Sequence, residues 1–425
     1  MRSLSLYVLI LLSFLLPLPC TSEQLQFSPN GGAVLLINAD SGAVLFEHNA
    51  HTLYYPASVT KIATAIYALQ LLQATALTDT ITVDIKSLRT ATQAEKRRMP
   101  NAIPRYCLEP DGSHIGIKAG EILSWQTLLE GLLIPSGNDA ANVIAEALGP
   151  TIPQFLIGLN DHLAKLGCKQ TNFCNPHGLH DPEHQSTAHD LAIMGKAALK
   201  HPVLCEIMTK TRFLRPKTNK QAAASYMQTN RLLRPGALYY DKACGMKTGH
   251  HAKAKHTFMG AARNHGRTLI AVLLDYQERS AMFQDAKLLF EAAFNQPKVQ
   301  SAFLPKGIQT FKYHLANAQE PIEANLKEAL TLEFYPAEDP HAKCLVHWAP
   351  VQLPVAQDQK IGEIHLVSNE GNILKSMPLW SAQAVDATWT HRLSLWLTNL
   401  SMKVIVLIYI AISGLLLLLW LKNKK

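Results

Sequence analysis

The chain has 425 residues, 40 Lys and Arg against 32 Asp and Glu, and a formal net charge of +8. A pI near 9.0 suits anionic surroundings, but basic stripes interleaved with aromatics are missing, which argues against nucleic acid as a partner. Seven cysteines contain no C-x-x-C spacing, which argues against a structural zinc, and the chain carries no repeats or low-complexity tracts.

In chain order, Arg2 precedes an apolar run from Leu4 to Leu18, then Cys20-Thr-Ser22. A positive start, an apolar stretch and a small-x-small site predict a signal peptide over residues 1–22. The alternatives are an uncleaved anchor, for which the run is short, and a lipoprotein, for which Pro19 fits poorly before Cys20.

Residues 27–296 read as a larger domain. Ala33–Ile37 and Ala43–Phe46 flank the turn residues Asn38-Ala-Asp-Ser-Gly42 and predict a hairpin. Helical periods follow at Ser58–Leu72, Trp125–Leu133, Ala140–Leu148, Pro153–Leu166 and Ala188–Leu199. Lys247-Thr-Gly249 opens a strand-rich close with Thr257–Ala262 and Thr268–Leu274, and a last helix covers Ala281–Phe294. Strands at both ends of a helical middle predict a mixed α/β fold whose first and last segments share one sheet.

Residues 298–382 carry short apolar runs (Ala329–Phe334, Cys344–Trp348, Ile361–Val367, Ile373–Leu374) between Pro, Asn and Gly clusters, with a hairpin signal at Asn369-Glu-Gly-Asn372. They predict a small C-terminal all-β sandwich, a stalk without catalytic groups. Residues 383–402 form a mildly amphipathic linker. Val404–Leu421 holds 18 residues without a charge, so 403–421 is the expected transmembrane helix and 422–425 the tail. Lys422, Lys424 and Lys425 place that tail in the cytoplasm and the body on the outer, periplasmic side of the plasma membrane.

Three short motifs stand in fixed order: Ser58-Val-Thr-Lys61, Ser136-Gly-Asn138 and Lys247-Thr-Gly249, with gaps of 78 and 111 residues. Together they resemble the signature of penicillin-binding proteins and serine β-lactamases. The flanks Tyr55–Thr64, Leu132–Ala141, Asn175–Leu179, Ser186-Thr-Ala188 with Asp190, and Thr229–Leu233 narrow the likeness to the low-molecular-weight D-alanyl-D-alanine carboxypeptidases, peptidase S11 type, over roughly residues 30–290. The resemblance implies that fold, a peptidoglycan stem peptide as substrate, β-lactams as inhibitors, and no cofactor or metal.

A serine hydroxyl needs a base, and a lysine serves only if burial or a neighbouring cation lowers its pKa. Ser58 is the candidate nucleophile at a helix N-terminus, with Lys61 one turn on as base and Lys247 as the second cation. The resemblance assigns Ser136 as proton relay, Asn138 to the substrate amide, Lys247 and Thr248 to the terminal carboxylate, and the N–H of His250, after Gly249, to the oxyanion; Arg279 is a further carboxylate partner. His177, His180, His184, His250, His251 and His256 lie near the motifs without a helical metal-binding frame, and His177 and Asp190 read as loop walls. The chain departs from the family where a Thr is His251 and a Gly is Lys255, so a more basic, tighter substrate edge is expected.

A D,D-endopeptidase on the same fold and a slow penicillin-binding wall scaffold are the alternatives. A class A β-lactamase needs a loop Glu for deacylation, and Gly167–Gly178 has none.

Overall fold

The computed structural model describes residues 25–72, 77–369, 371–399 and 402–423, so the expected signal peptide lies outside them. The chain divides into two compact units, Ser22–Pro297 with Pro336–Glu338, and Lys298–Tyr335 with the residues from Asp339 on.

In the first unit β1 (Ala33–Asn38) and β2 (Val44–His48) form the expected hairpin. A 3₁₀ turn over Ala57–Thr60 leads into α1 (Lys61–Leu71). Then come β3 (Thr80–Thr82), α2 (Gln93–Arg98), β4 (Ile122–Ser124), α3 (Trp125–Leu133), α4 (Asn138–Leu148), α5 (Ile152–Leu166), α6 (Ala188–Leu199) and α7 (Pro202–Thr209). A second hairpin, β5 (Arg212–Arg215) with β6 (Ala224–Met227), precedes β7 (Ala243–His251), β8 (Lys255–Asn264), β9 (Arg267–Tyr276) and α8 (Arg279–Phe294).

The central sheet runs β2-β1-β9-β8-β7, so strands from both ends of the unit meet as the mixed α/β reading requires. Both faces are covered. Leu35, Val272 and Met259 share one core with Val59, Ile62, Leu128 and Leu159 of the helical layer, while Leu36, Ala271 and Phe258 share another with Phe283 and Phe290 of α8. Two-sided burial explains why β1 and β9 are almost wholly apolar rather than alternating. Ser124, Thr151 and Thr187 cap α3, α5 and α6 by accepting from Thr127, Gln154 and Asp190 N–H.

Two boundaries differ from the periodicity. The helix predicted from Ser58 starts as a 3₁₀ turn, with Ala57 at φ 48°. Lys247-Thr-Gly249 lies within β7 rather than at its start, because Ala243 and Gly245 already pair with β8.

In the second unit β11 (Gly307–Tyr313), β12 (Ile322–Leu326), β14 (Lys343–Trp348), β15 (Lys360–Val367) and β16 (Ile373–Ser381) make one sheet, and β10 (Val299–Leu304) pairs with β13 (Leu330–Phe334). Phe311, Ile322, Leu330, Ile364 and Leu379 fill its core. β15 and β16 form the hairpin expected at 369–372. β11 escaped the sequence reading because a polar Gln309 occupies a core position, its amide donating to Pro305 O and Gly307 O at 2.9 and 2.7 Å. α9 (Trp389–Asn399) and α10 (Met402–Lys422) follow. Judged on the described residues, no helix is long and apolar enough to cross a membrane.

Candidate active site

The 3₁₀ turn places Ser58 and Lys61 above one another, since residues three apart eclipse at three residues per turn. Lys61 Nζ lies 2.9 Å from Ser58 Oγ, 2.7 Å from Asn138 Oδ1 and 2.7 Å from His177 O. Its side chain is fully buried, as are Ala63, Ala65 and Ala68 of the same helix. Burial first, then the charge of Lys247, hold Lys61 well below the ordinary lysine value of 10.5, with Asp139 partly opposing. Lys247 is itself buried, and burial followed by Arg279 pushes it down to about 7.

The Ser136–Asn138 turn is held from behind. Ser136 adopts φ 74°, a left-handed conformation that costs a non-glycine residue about 1 kcal/mol or more. Asp139 fixes it, accepting from Ile115, Gly116 and Ile117 N–H at 2.9–3.1 Å. Asn138 Oδ1 is occupied by Lys61, which turns its amide nitrogen toward the cleft wall, where a side chain on Gly112 would approach within 2.8 Å.

The third motif closes the site. A Cβ on Gly249 would stand 2.8 Å from Ser58 N, and one on Gly178 would fall 1.9 Å from Ala57 O, so both glycines permit the backbone approach that seats Ser58. Thr257 Oγ1 donates to Pro56 O at 2.9 Å, tying β8 to the same turn. Thr248 Oγ1 donates to Thr229 Oγ1 at 2.8 Å, and Arg279 Nη2 to Thr229 O at 2.8 Å. A cleft of about 610 Å³ is lined by Ser58, Ser136, Asn138, Thr248, Gly249 and His250, with Arg279 and Thr229 at the same wall. The structure thus brings all eight expected residues to one place, Lys61 and Lys247 beneath its surface.

Thr229 and Asp139 were not singled out from sequence. Each sits within a quoted flank, but a lone Thr in a loop or an Asp in a first helical turn carries no periodic signal.

The histidines are wall elements. His184 Nδ1 accepts from Cys174 N–H at 3.0 Å, so the proton is on Nε2, which faces Thr60 Oγ1 at 2.8 Å; burial lowers its pKa to about 3. His177 Nδ1 accepts from Leu179 N–H and Nε2 faces Tyr106 O, again a neutral ring. Asp190 accepts from Gln170 N–H and Thr171 Oγ1, fixing the neighbouring loop. Of the two departures, Lys255 sits at φ 54°, where a glycine would be unstrained, and pairs with Asp275 at 2.8 Å. His250, His251 and His256 line the cleft, but burial lowers His251 to about 4 and lowers His256 as well, and Lys255 is neutralised by Asp275, so the more basic edge expected from the two departures is not found.

The six described cysteines are free thiols. Cys174, Asp181 and Glu183 stand close enough to suggest a metal, but Arg105 fills the space, donating to Cys174 Sγ at 3.4 Å and pairing with both carboxylates.

The D-alanyl-D-alanine carboxypeptidase family profile, peptidase S11, matches residues 21–278. D-alanyl-D-alanine carboxypeptidase DacF of Bacillus subtilis is 28% identical over 82% of this chain and 84% of its own, and DacB2 of Mycobacterium tuberculosis is 33% identical over 58% and 76%. Penicillin binding protein 5 from Haemophilus influenzae shares the fold, with a TM-score of 0.58 at 24% identity over 85% of this chain and 99% of that one. A D-alanyl-D-alanine carboxypeptidase structure from Mycobacterium tuberculosis gives 0.53 at 28% identity over 63% and 92%. On this match the chain belongs to the D-alanyl-D-alanine carboxypeptidase family, peptidase S11, and is a serine-type carboxypeptidase.

Proposed function

We propose that Ser58 is the nucleophile that releases the terminal D-alanine from peptidoglycan stem peptides ending in D-Ala-D-Ala, and that β-lactams acylate the same hydroxyl. The observation that carries this reading is Lys61 Nζ, buried and 2.9 Å from Ser58 Oγ. A neutral amine has two N–H bonds and one lone pair. Donating to Asn138 Oδ1 and His177 O leaves the lone pair facing the serine proton.

Lys61 takes that proton as Oγ attacks the carbonyl of the penultimate D-alanine. The developing oxyanion falls to the N–H groups of Ser58 and His250, on the two segments that Gly249 lets approach. Asn138 donates its free amide hydrogen to the substrate chain. Lys247 and Thr248, with Arg279, take the terminal carboxylate, and Ser136 relays the proton held by Lys61 to the departing amine, which leaves Lys61 neutral again and Ser136 a hydroxyl. Water then hydrolyses the acyl ester by the same base in reverse.

A second part of the proposal concerns location. The apolar start and the uncharged 18-residue run of Val404–Leu421 support export and C-terminal anchoring, with the catalytic unit on the outer, periplasmic face of the plasma membrane.

The direct test is D-alanine release from a stem pentapeptide by the purified full chain. The Ser58→Ala variant should release none while keeping its fold by circular dichroism. Release by that variant at the parent rate would sink the assignment.

A further inference from the structure

Past the carboxylate end of the cleft the surface stays cationic. Thr229 meets Thr248 at 2.8 Å, and Asn230 Nδ2 donates to Gly245 O at 3.1 Å, so residues 229–234 run along β7 away from Ser58. Asn230 Oδ1 accepts from Leu232 N–H at 3.0 Å and starts a 3₁₀ turn over Arg231–Leu233. Leu232 and Leu233 are buried, which leaves Arg231 and Arg234 on either side of an anchored pair. With the 235–238 turn these arginines line a second cavity of about 250 Å³.

Arg279, on the wall of the main cleft, completes a cationic triad. Its guanidinium is lowered from 12.5 first by burial and then by the charges of Arg231 and Arg234, which places the three within each other's field. Among the described residues none of them meets a carboxylate: Arg279 donates to Thr229 O and Arg234 to Gln228 O at 3.4 Å. Arg279 and Arg234 thus meet only carbonyl acceptors, with Arg279 also over the Phe283 ring, and exposed Arg231 stands beside them, so the three like charges repel one another and most of their donors face no carboxylate. Such a concentration of charge beside a cavity is matched by an anionic ligand with carboxylate geometry.

We propose that Arg231 and Arg234 form a leaving-group subsite that receives a second carboxylate on substrates whose departing amine is larger than D-alanine. The inference rests on Lys247, Thr248 and Arg279 holding the first carboxylate. A departing D-alanine carries no second carboxylate for the arginines of the second cavity to receive. The diamino-acid centre of a cross-linked peptide continues beyond it and carries further carboxylates. The chemistry is unchanged: the amide C–N bond breaks, the Ser58 ester forms, and the proton goes to the departing amine. The subsite therefore adds opening of cross-links to trimming of free ends.

Three probes on one acyl peptide test this: D-Ala-D-Ala, D-Ala-D-2-aminopimelate, and the latter with its side-chain carboxylate as the amide. The full chain should favour the aminopimelate acid over the amide by about five-fold in kcat/KM, chiefly through KM, and lose that preference in high salt. Arg231→Ala/Arg234→Ala should erase the preference while D-Ala-D-Ala turnover, the control for folding, stays within about two-fold, a change no larger than ordinary surface substitutions give. Equal cleavage of acid and amide by the parent chain, or a preference surviving in the double variant, would overturn the subsite. Failure of the parent chain to release D-alanine from D-Ala-D-Ala would instead overturn the carboxylate reading beneath it.

Discussion

A lysine buried without a carboxylate partner is costly, and this chain buries two in one cleft. Lys247 has a folded pKa of about 7 against an ordinary 10.5, so between those values the unfolded chain holds a proton that the folded chain does not. Stability therefore rises with pH across that window. The penalty is absent above 10.5, grows as pH falls to about 7, and is constant below. Lys247→Met should consequently stabilise the fold at neutral pH by on the order of 1 kcal/mol or more, with the gain shrinking toward pH 10, while activity is lost. Urea denaturation at pH 7 and pH 10 reads this. A gain equal at both pH values would show that packing, not ionisation, is responsible. Lys61 shares the same strain, which is what suits it to the role of base proposed for it.

At the scale of elements, the site is the junction of three segments that the chain brings together from far apart: the turn before α1, the turn before α4, and β7. Asp139 is the fastener of the second. Its carboxylate receives Ile115, Gly116 and Ile117 N–H, three backbone donors with no replacement if it goes. Asp139→Ala should cost about 3 kcal/mol and lower β-lactam acylation steeply, whereas Asp139→Asn, which keeps one acceptor, should lose less of both. Chemical denaturation and acylation rates measured side by side check the ranking.

The legibility of these segments in the sequence follows their physics. The apolar helices and the two-sided strands β1 and β9 announce themselves because burial requires continuous hydrophobic runs. The motif residues, common types individually, are legible because the three motifs stand in a fixed order and spacing. Unreadable were features defined by tertiary geometry: the left-handed Ser136, the bond from Thr248 to Thr229, the arginine triad, and short pairs such as β3 with β4, three residues each. Propensity alone does not specify any of them.

The whole molecule couples a catalytic unit to a β-rich unit followed by two helices. Anchoring belongs to this scale. Under the proposed export and C-terminal anchoring, the full chain expressed from Met1 should stay in the membrane pellet after high-salt washing, and a chain ending at residue 401 should be released in active form. Retention of the shortened chain would assign anchoring to some other segment.

The most direct measurement is the second-order rate of β-lactam acylation against pH, with the adduct located by mass spectrometry. The account places the adduct on Ser58, absent in Ser58→Ala. It predicts a rate rising through an apparent pKa well below the ordinary lysine value of 10.5, because Lys61 is fully buried beside Lys247. An adduct on another residue, or a rise centred on 10.5, would contradict a desolvated Lys61 as the base for Ser58.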